Sequence, residues 1–357
     1  MDAFCEIAYG FPWNSMNPQE APTPNGTGHA APTGWFDIVL GAPDTHTEVG
    51  RMLWGRHFDR AQEISAGRSF RPSWKLERLL VRAGVLPARS LEGMLRESMQ
   101  YVDRVIYKIL DARFQEPEAQ RAKRNDLLSL FMGVTQDRKY LRDIAVNFLL
   151  AGRDTTATTL TWLFWEVARC EKLNLGVLAR MREEVAREAG AERSLSFQAL
   201  SRMRFCGACV RETVRLHAVV PLDGKTAVAD DVLPDGTLVA RGDMVFFHPY
   251  CMARDPGLWG PDAAEWRPDR WLEMEHEPST FLDCVFQAGP RICLGKEMAL
   301  LEAKTVLAHL VLAGLSWSLP PGPDGEPPYK FPSVTLTMAD PGLWLNLKFD
   351  DAPRRAA

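Results

Sequence analysis

The chain has 357 residues, 46% of them hydrophobic, which is enough to bury a large core. A net charge of −4, from 42 basic and 46 acidic side chains with no long basic block, argues against a nucleic-acid partner. Seven cysteines at scattered spacings read as reduced thiols rather than a disulfide framework.

The first residues show no positive region followed by an apolar one, so no signal peptide or anchor is legible there. Residues 17–34 are dense in Pro, Gly, Asn and Thr and read as a loop, part of a loop insertion over 17–50. The Asn25-Gly26-Thr27 sequon within it reads as chance. Residues 47–114 are mainly helical in pattern, broken near 67–72 and 84–87. Residues 141–170 keep apolar side chains at helical spacing without a break, predicting one helix that crosses the molecule. Helical patterns return at 178–189 and 205–216. Residues 218–290 are rich in Pro, Asp and Gly, with short β-like runs at 237–240 and 244–247. A last helix is predicted over 295–312, and residues 329–331 and 334–336 suggest a closing hairpin. The longest apolar stretch, 306–319, holds a His, a Gly and two Ser and is too short and mixed to span a bilayer. No internal repeat is visible. The reading is a single domain over 1–357, mainly α with a small β part.

The strongest local signal is FQAGPRICLG, residues 286–295, framed by Phe286, Gly289, Arg291, Cys293 and Gly295. The glycines let the backbone turn tightly and approach a flat cofactor. Cys293 lies just before a predicted helix, whose N-terminal dipole favours a thiolate. Arg291 can pair with a carboxylate of such a cofactor. A lone cysteine in a glycine turn is ordinarily a core thiol; here five positions agree on more. Cys206 and Cys209 form a CxxC without a second pair nearby, and zinc sites normally need four ligands. Those two, with Cys5, Cys170, Cys251 and Cys284, read as ordinary thiols.

AGRDTT, residues 151–156, is a poor helix interior. Thr155 can bond back to the Ala151 carbonyl, and local opening there would bend the helix. Glu212 and Arg215 of ETVR sit three apart on one helix face. Arg270 follows in EWRPDRW. Lys225, between these segments, reads either as a solvated lysine or as a second cofactor contact.

Together these motifs resemble cytochromes P450. The decapeptide resembles that family's haem-binding loop, which implies Cys293 as the iron ligand, with Arg291 and Lys225 facing haem propionates. AGRDTT resembles the oxygen-activation motif of the central helix, which implies Ala151 beside the haem and a proton relay through Asp154 and Thr155. Glu212, Arg215 and Arg270 resemble the structural Glu-Arg-Arg triad. Where the family commonly has proline, this chain has Ala218. HFDRAQE (57–63), WKLERLL (74–80), DLLSLFMG (126–133) and DDVLPDGT (230–237) extend the likeness to the plant and algal fatty-acid omega-hydroxylase branch.

The resemblance implies haem b, O2, electrons from NADPH through a cytochrome P450 reductase, and hydroxylation of a long-chain fatty acid at or near its terminal carbon. Phe148, Ala151, Val219, Val220 and Val334 are the expected channel lining, though each fits an ordinary core as well. It also implies membrane association at the cytosolic face of the endoplasmic reticulum. CEIAYG, residues 5–10, resembles a segment after the family's first helices, so the expectation is an N-terminally incomplete domain lacking the anchor, hinge, B and C helices and most of the first sheet. Trp74 and Arg78 have the spacing of the C-helix WxxxR but sit in a later segment, and read as chance. Two alternatives stand beside the monooxygenase: a haem-thiolate isomerase or dehydratase of lipid peroxides, which Asp154 and Thr155 disfavour, and a non-catalytic piece that binds haem weakly.

Overall fold

The computed structural model describes residues 48–349 except 122, 125, 322–326, 331–333 and 340–341. The stretch at 17–34, its sequon, Cys5 and residue 331 of the expected hairpin therefore lie outside the described residues. Residues 48–50, assigned to the loop insertion, open the first helix instead. The chain divides into two compact units, Met1–Arg153 with Pro332–Val334, and Asp154–Phe331 with Thr335–Ala357.

In the first unit, α1 (Glu48–Gly67), α2 (Trp74–Arg82) and α3 (Leu91–Gln115) follow the predicted helical stretch, and its two breaks fall between them. Gly84 ends α2 at φ +74°, a conformation only glycine adopts without cost. Ser90 caps α3 by accepting from the Gly93 amide at 3.2 Å. Ala61 and Ile64 of α1 pack on Leu95 of α3. Buried Glu92 accepts two hydrogen bonds from Arg68, at 2.7 and 3.1 Å, and so pins the turn before α2 to α3. After the short α4 (Glu118–Arg121), Asp126 caps α5 (Leu127–Val134) through the Ser129 amide at 2.9 Å and also takes buried Arg113 at 2.9 Å.

The predicted long helix is α6, Arg138–Lys172. Asp137 opens it by accepting from the amides of Lys139 and Tyr140 at 2.9 and 3.1 Å. It is α-helical throughout, including 151–156, where the sequence suggested a local opening. Threonine hydroxyls here bond back to carbonyls within an intact ladder: Thr159 to Thr155 O and Thr161 to Ala157 O, both at 2.9 Å.

The second unit contains the C-terminal part of α6, then α7 (Val177–Ala189), α8 (Phe197–Arg202) and α9 (Arg204–Leu216). Leu163 and Val167 of α6, Met181 and Val185 of α7 and Cys206, Cys209 and Val210 of α9 belong to one buried cluster, which also holds Trp317. Two small antiparallel sheets follow: β1 (Asp223–Thr226) pairs β4 (Met244–Phe247), and β2 (Asp231–Val232) pairs β3 (Leu238–Val239). Three one-turn helices, α10 (Pro249–Met252), α11 (Pro256–Trp259) and α12 (Arg270–Glu273), lead to the cysteine loop and α13 (Lys296–Leu312), whose Leu307 and Val311 join the same core. A third sheet pairs β5 (Leu315–Ser318) with β6 (Asn346–Phe349). In place of the expected hairpin arm at 334–336, which forms no strand, the structure has an isolated antiparallel bridge between Tyr329 and Met338. The architecture is mainly α with a small β part, as expected.

Candidate active site

The cysteine loop is shaped by backbone geometry before any side chain acts. A 3-10 turn at Cys284–Phe286 ends in Gln287 at φ +67°, and Gly289 follows at φ +68°. A second turn, Gly289–Arg291, then delivers Cys293, whose amide donates to Phe286 O at 2.7 Å. Two left-handed residues so close together fold the chain back on itself. Gly289 is the residue suited to this, whereas Gln287 holds the conformation at a cost of about 1 kcal/mol or more. Gly295 differs from expectation. It precedes α13 at φ −90°, which any residue can adopt, and its glycine identity is not demanded by the turn.

Residues 289–294 are all exposed. Cys293 presents its thiol to the surface, flanked by Ile292 at 42% and Leu294 at 83% exposure. A Cβ built at Gly289 meets nothing within 4 Å. Among the described residues Arg291 has no hydrogen-bond or ion-pair partner. An open glycine, an exposed thiol between two exposed apolar side chains and an unpaired guanidinium together fit one face of a flat, acidic macrocycle. Iron at Cys293 would come in a carrier that brings its other ligands, and haem is such a carrier. Lys225 on β1 donates to Gln287 Oε1 at 3.2 Å, which brings it to this loop.

Glu212, Arg215 and Arg270 meet in the interior. Arg215 forks onto Glu212 with Nη2 at 2.8 Å and Nε at 2.9 Å, while Arg270 Nε reaches the same carboxylate at 3.3 Å. All three are buried. Glu212 also accepts from the Trp271 indole at 2.9 Å and the Arg267 amide at 3.0 Å. Arg215 donates onward to the carbonyls of Ala253, Ala263 and Glu265, and Arg270 to Asp262 and Trp259 O. Trp271 and Asp262 escaped the sequence reading. Trp271 stands next to Arg270 in EWRPDRW, so its indole was there to be considered; nothing in the sequence marks Asp262.

Asp154 and Thr155 are half-buried on α6 in the second unit, and Ala151 is exposed at the end of the first. Arg153 pairs with Asp59 of α1. Of the expected channel residues, Val219 is buried and its carbonyl accepts from the Leu336 amide at 2.9 Å, while Val220 is half-buried. Phe148 and Val334 belong to the first unit, where Phe148 packs against Phe131 at 5.8 Å and Val334 is 52% exposed. The CxxC thiols are core: Cys206 and Cys209 are fully buried, and burial pushes both thiol pKa values well up. Burial likewise pushes Cys170 up to about 12. These are inert thiols.

Residues 85–345 match the family model described as Cytochrome P450. The chain belongs to the cytochrome P450 family. Among similar proteins are Cytochrome P450 CYP94D109 of Paris polyphylla, 36% identical over 72% of this chain and 51% of its own length, and Cytochrome P450 94B1 of Arabidopsis thaliana, 35% identical over 71% and 50%. Cytochrome P450 704C1 of Pinus taeda is 32% identical over 87% of this P450 chain and 58% of its own length. The chain spans about half the length of the curated relatives it matches.

Proposed function

We propose that this P450 chain carries the haem-thiolate centre of a monooxygenase that hydroxylates long-chain fatty acids at or near the terminal carbon. The observation that carries the reading is the exposed Cys293, held by the hydrogen bond its amide donates to Phe286 O ahead of α13. Haem, when bound, supplies an iron at which dioxygen is activated while the thiolate donates electron density. The chain's own residues do the rest. Cys293 would hold the iron through Sγ. Arg291 and Lys225 hold propionates by charge-assisted hydrogen bonds. Asp154 and Thr155 move protons at the carboxylate and hydroxyl oxygens. Glu212, Arg215 and Arg270 hold the segment that precedes the loop.

Terminal C–H bonds are stronger than internal ones, so positioning must set selectivity. Val219 and Val220 are the proposed channel residues of the second unit. Electrons would come from NADPH through a cytochrome P450 reductase. The fatty-acid reading is supported by the omega-hydroxylase likeness of six segments, AVNFLLAGRDTT (145–156) and VFQAGPRICLGKEMALLEAK (285–304) among them. The same likeness supports the cytosolic face of the endoplasmic reticulum as the place of work; among the described residues no helix is long and apolar enough to cross a membrane. The test is turnover of palmitate with reductase, NADPH and O2, with products resolved by position. Hydroxyl at the terminal or adjacent carbon supports the reading. Conversion of lipid hydroperoxides without NADPH would replace it with the isomerase or dehydratase.

A further inference from the structure

Three arginines line one cleft of the first unit that the haem chemistry does not use. Arg60 of α1, Arg89 in the turn before α3 and Arg96 on α3 border a space of about 590 Å³. That lies within the range of single small-molecule sites, roughly 300–1,000 Å³. One carboxylate, Glu97, lines the cleft too and lies 3.6 Å from Arg60. It offsets one positive charge. Arg89 and Arg96 have no hydrogen-bond or ion-pair partner among the described residues. Val81, Leu86 and Met94 supply an apolar wall.

The wall is built rather than incidental. The chain at Ala88 passes so close to α3 that a Cβ at Gly93 would stand 2.6 Å from Ala88 O, so only glycine admits this approach. The neighbouring Glu92 is clamped by Arg68 at 2.7 Å, which fixes this end of α3. Guanidinium groups match the two oxygens of a carboxylate, and each such bond is charge-assisted. Two unpaired guanidiniums over an apolar wall fit an anionic head on a hydrocarbon tail.

We propose that this cleft binds the carboxylate of a long-chain fatty acid through Arg89 and Arg96. The inference rests on the fatty-acid reading for its choice of ligand, and on the cleft alone for its residues.

The test is isothermal titration of the chain with palmitate, comparing the unaltered protein with an Arg89→Gln/Arg96→Gln double variant. Both side chains are exposed, so the core is untouched. Loss of two charge-assisted bonds predicts affinity weaker by about tenfold to a few hundredfold. Methyl palmitate, with the same tail and no charge, should bind both forms alike and weakly. Equal palmitate affinity in the two forms overturns the proposal. So does competition by inorganic phosphate as strong as by palmitate, which marks an unselective anion site. Arginine-dependent flotation with phosphatidic-acid vesicles, without arginine-dependent palmitate binding, also overturns it in favour of a lipid headgroup. A reduced carbon-monoxide spectrum of both forms separates the two claims: arginine-dependent palmitate binding without haem uptake would keep the cleft and sink the monooxygenase.

Discussion

The Glu212 carboxylate receives both arms of Arg215, at 2.8 and 2.9 Å, with neither side chain exposed at all. Two buried charges would be costly apart, yet here every neighbour is a partner: Arg270, Trp271 and the Arg267 amide complete the carboxylate's shell. Removing one member strands the other. Arg215→Ala and Glu212→Ala should each destabilise the fold by about 3–5 kcal/mol, since a buried charge is left unpaired. Chemical denaturation checks this. Haem content should fall alongside stability, because the carbonyls that Arg215 holds lie on the way to the cysteine loop.

A second buried junction ties α6 to the C-terminal turn. Trp162 stacks on His217 with centroids 4.2 Å apart and planes 12° from parallel, and its indole donates to Leu336 O at 2.6 Å. Trp162→Phe retains the stacking but strands that carbonyl, which predicts a loss of about 1–3 kcal/mol in thermal or denaturant unfolding. Because the Leu336 amide holds Val219 O, the same variant should alter the regiochemistry of hydroxylation more than it alters haem content.

On α6, Asp154→Asn and Thr155→Ala test the proton relay. Fatty-acid hydroxylation should fall by roughly 10²-fold or more, the usual weight of positioned acid–base groups, while haem uptake and folding stay intact. Equal loss of haem and turnover would point to a structural role instead.

Asp283 predicts a pH dependence. Burial raises its carboxyl pKa despite the opposing pull of Arg211, Lys296 and Arg215, and its Oδ1 is buried without a hydrogen-bond partner among the described residues. A carboxyl that titrates higher folded than unfolded adds stability at low pH, and that contribution is lost as pH rises through its folded pKa. At pH 7 Asp283 therefore costs stability. Asp283→Asn should raise the Tm at pH 7, with the gain shrinking toward the unfolded carboxyl's pKa near 4. Unfolding curves at several pH values check the sign.

Helices were readable where apolar residues recur at helical spacing, as at 141–170 and 205–216, where the observed spans are Arg138–Lys172 and Arg204–Leu216. The cysteine loop was readable because its five framework residues fall within residues 286–295. What stayed hidden depends on distant partners. The run Asp-Gly-Lys-Thr has little strand propensity, and β1 exists because it pairs with β4, Asp223 opposite Phe247. β5 needs β6, with Leu315 opposite Phe349. The left-handed turn at Gln287 and its contact with Lys225 have no signature in the side-chain pattern. At 151–156 local propensity pointed to an open helix, yet the backbone ladder stays closed within a 35-residue α-helix.

The most direct measurement is a carbon-monoxide difference spectrum of the reduced chain, reconstituted with haem, beside its Cys293→Ser form. A red-shifted thiolate Soret band in the first and its loss in the second is the predicted result. The same band in both, or haem uptake in neither, would contradict the assignment of Cys293 as the iron ligand of this chain.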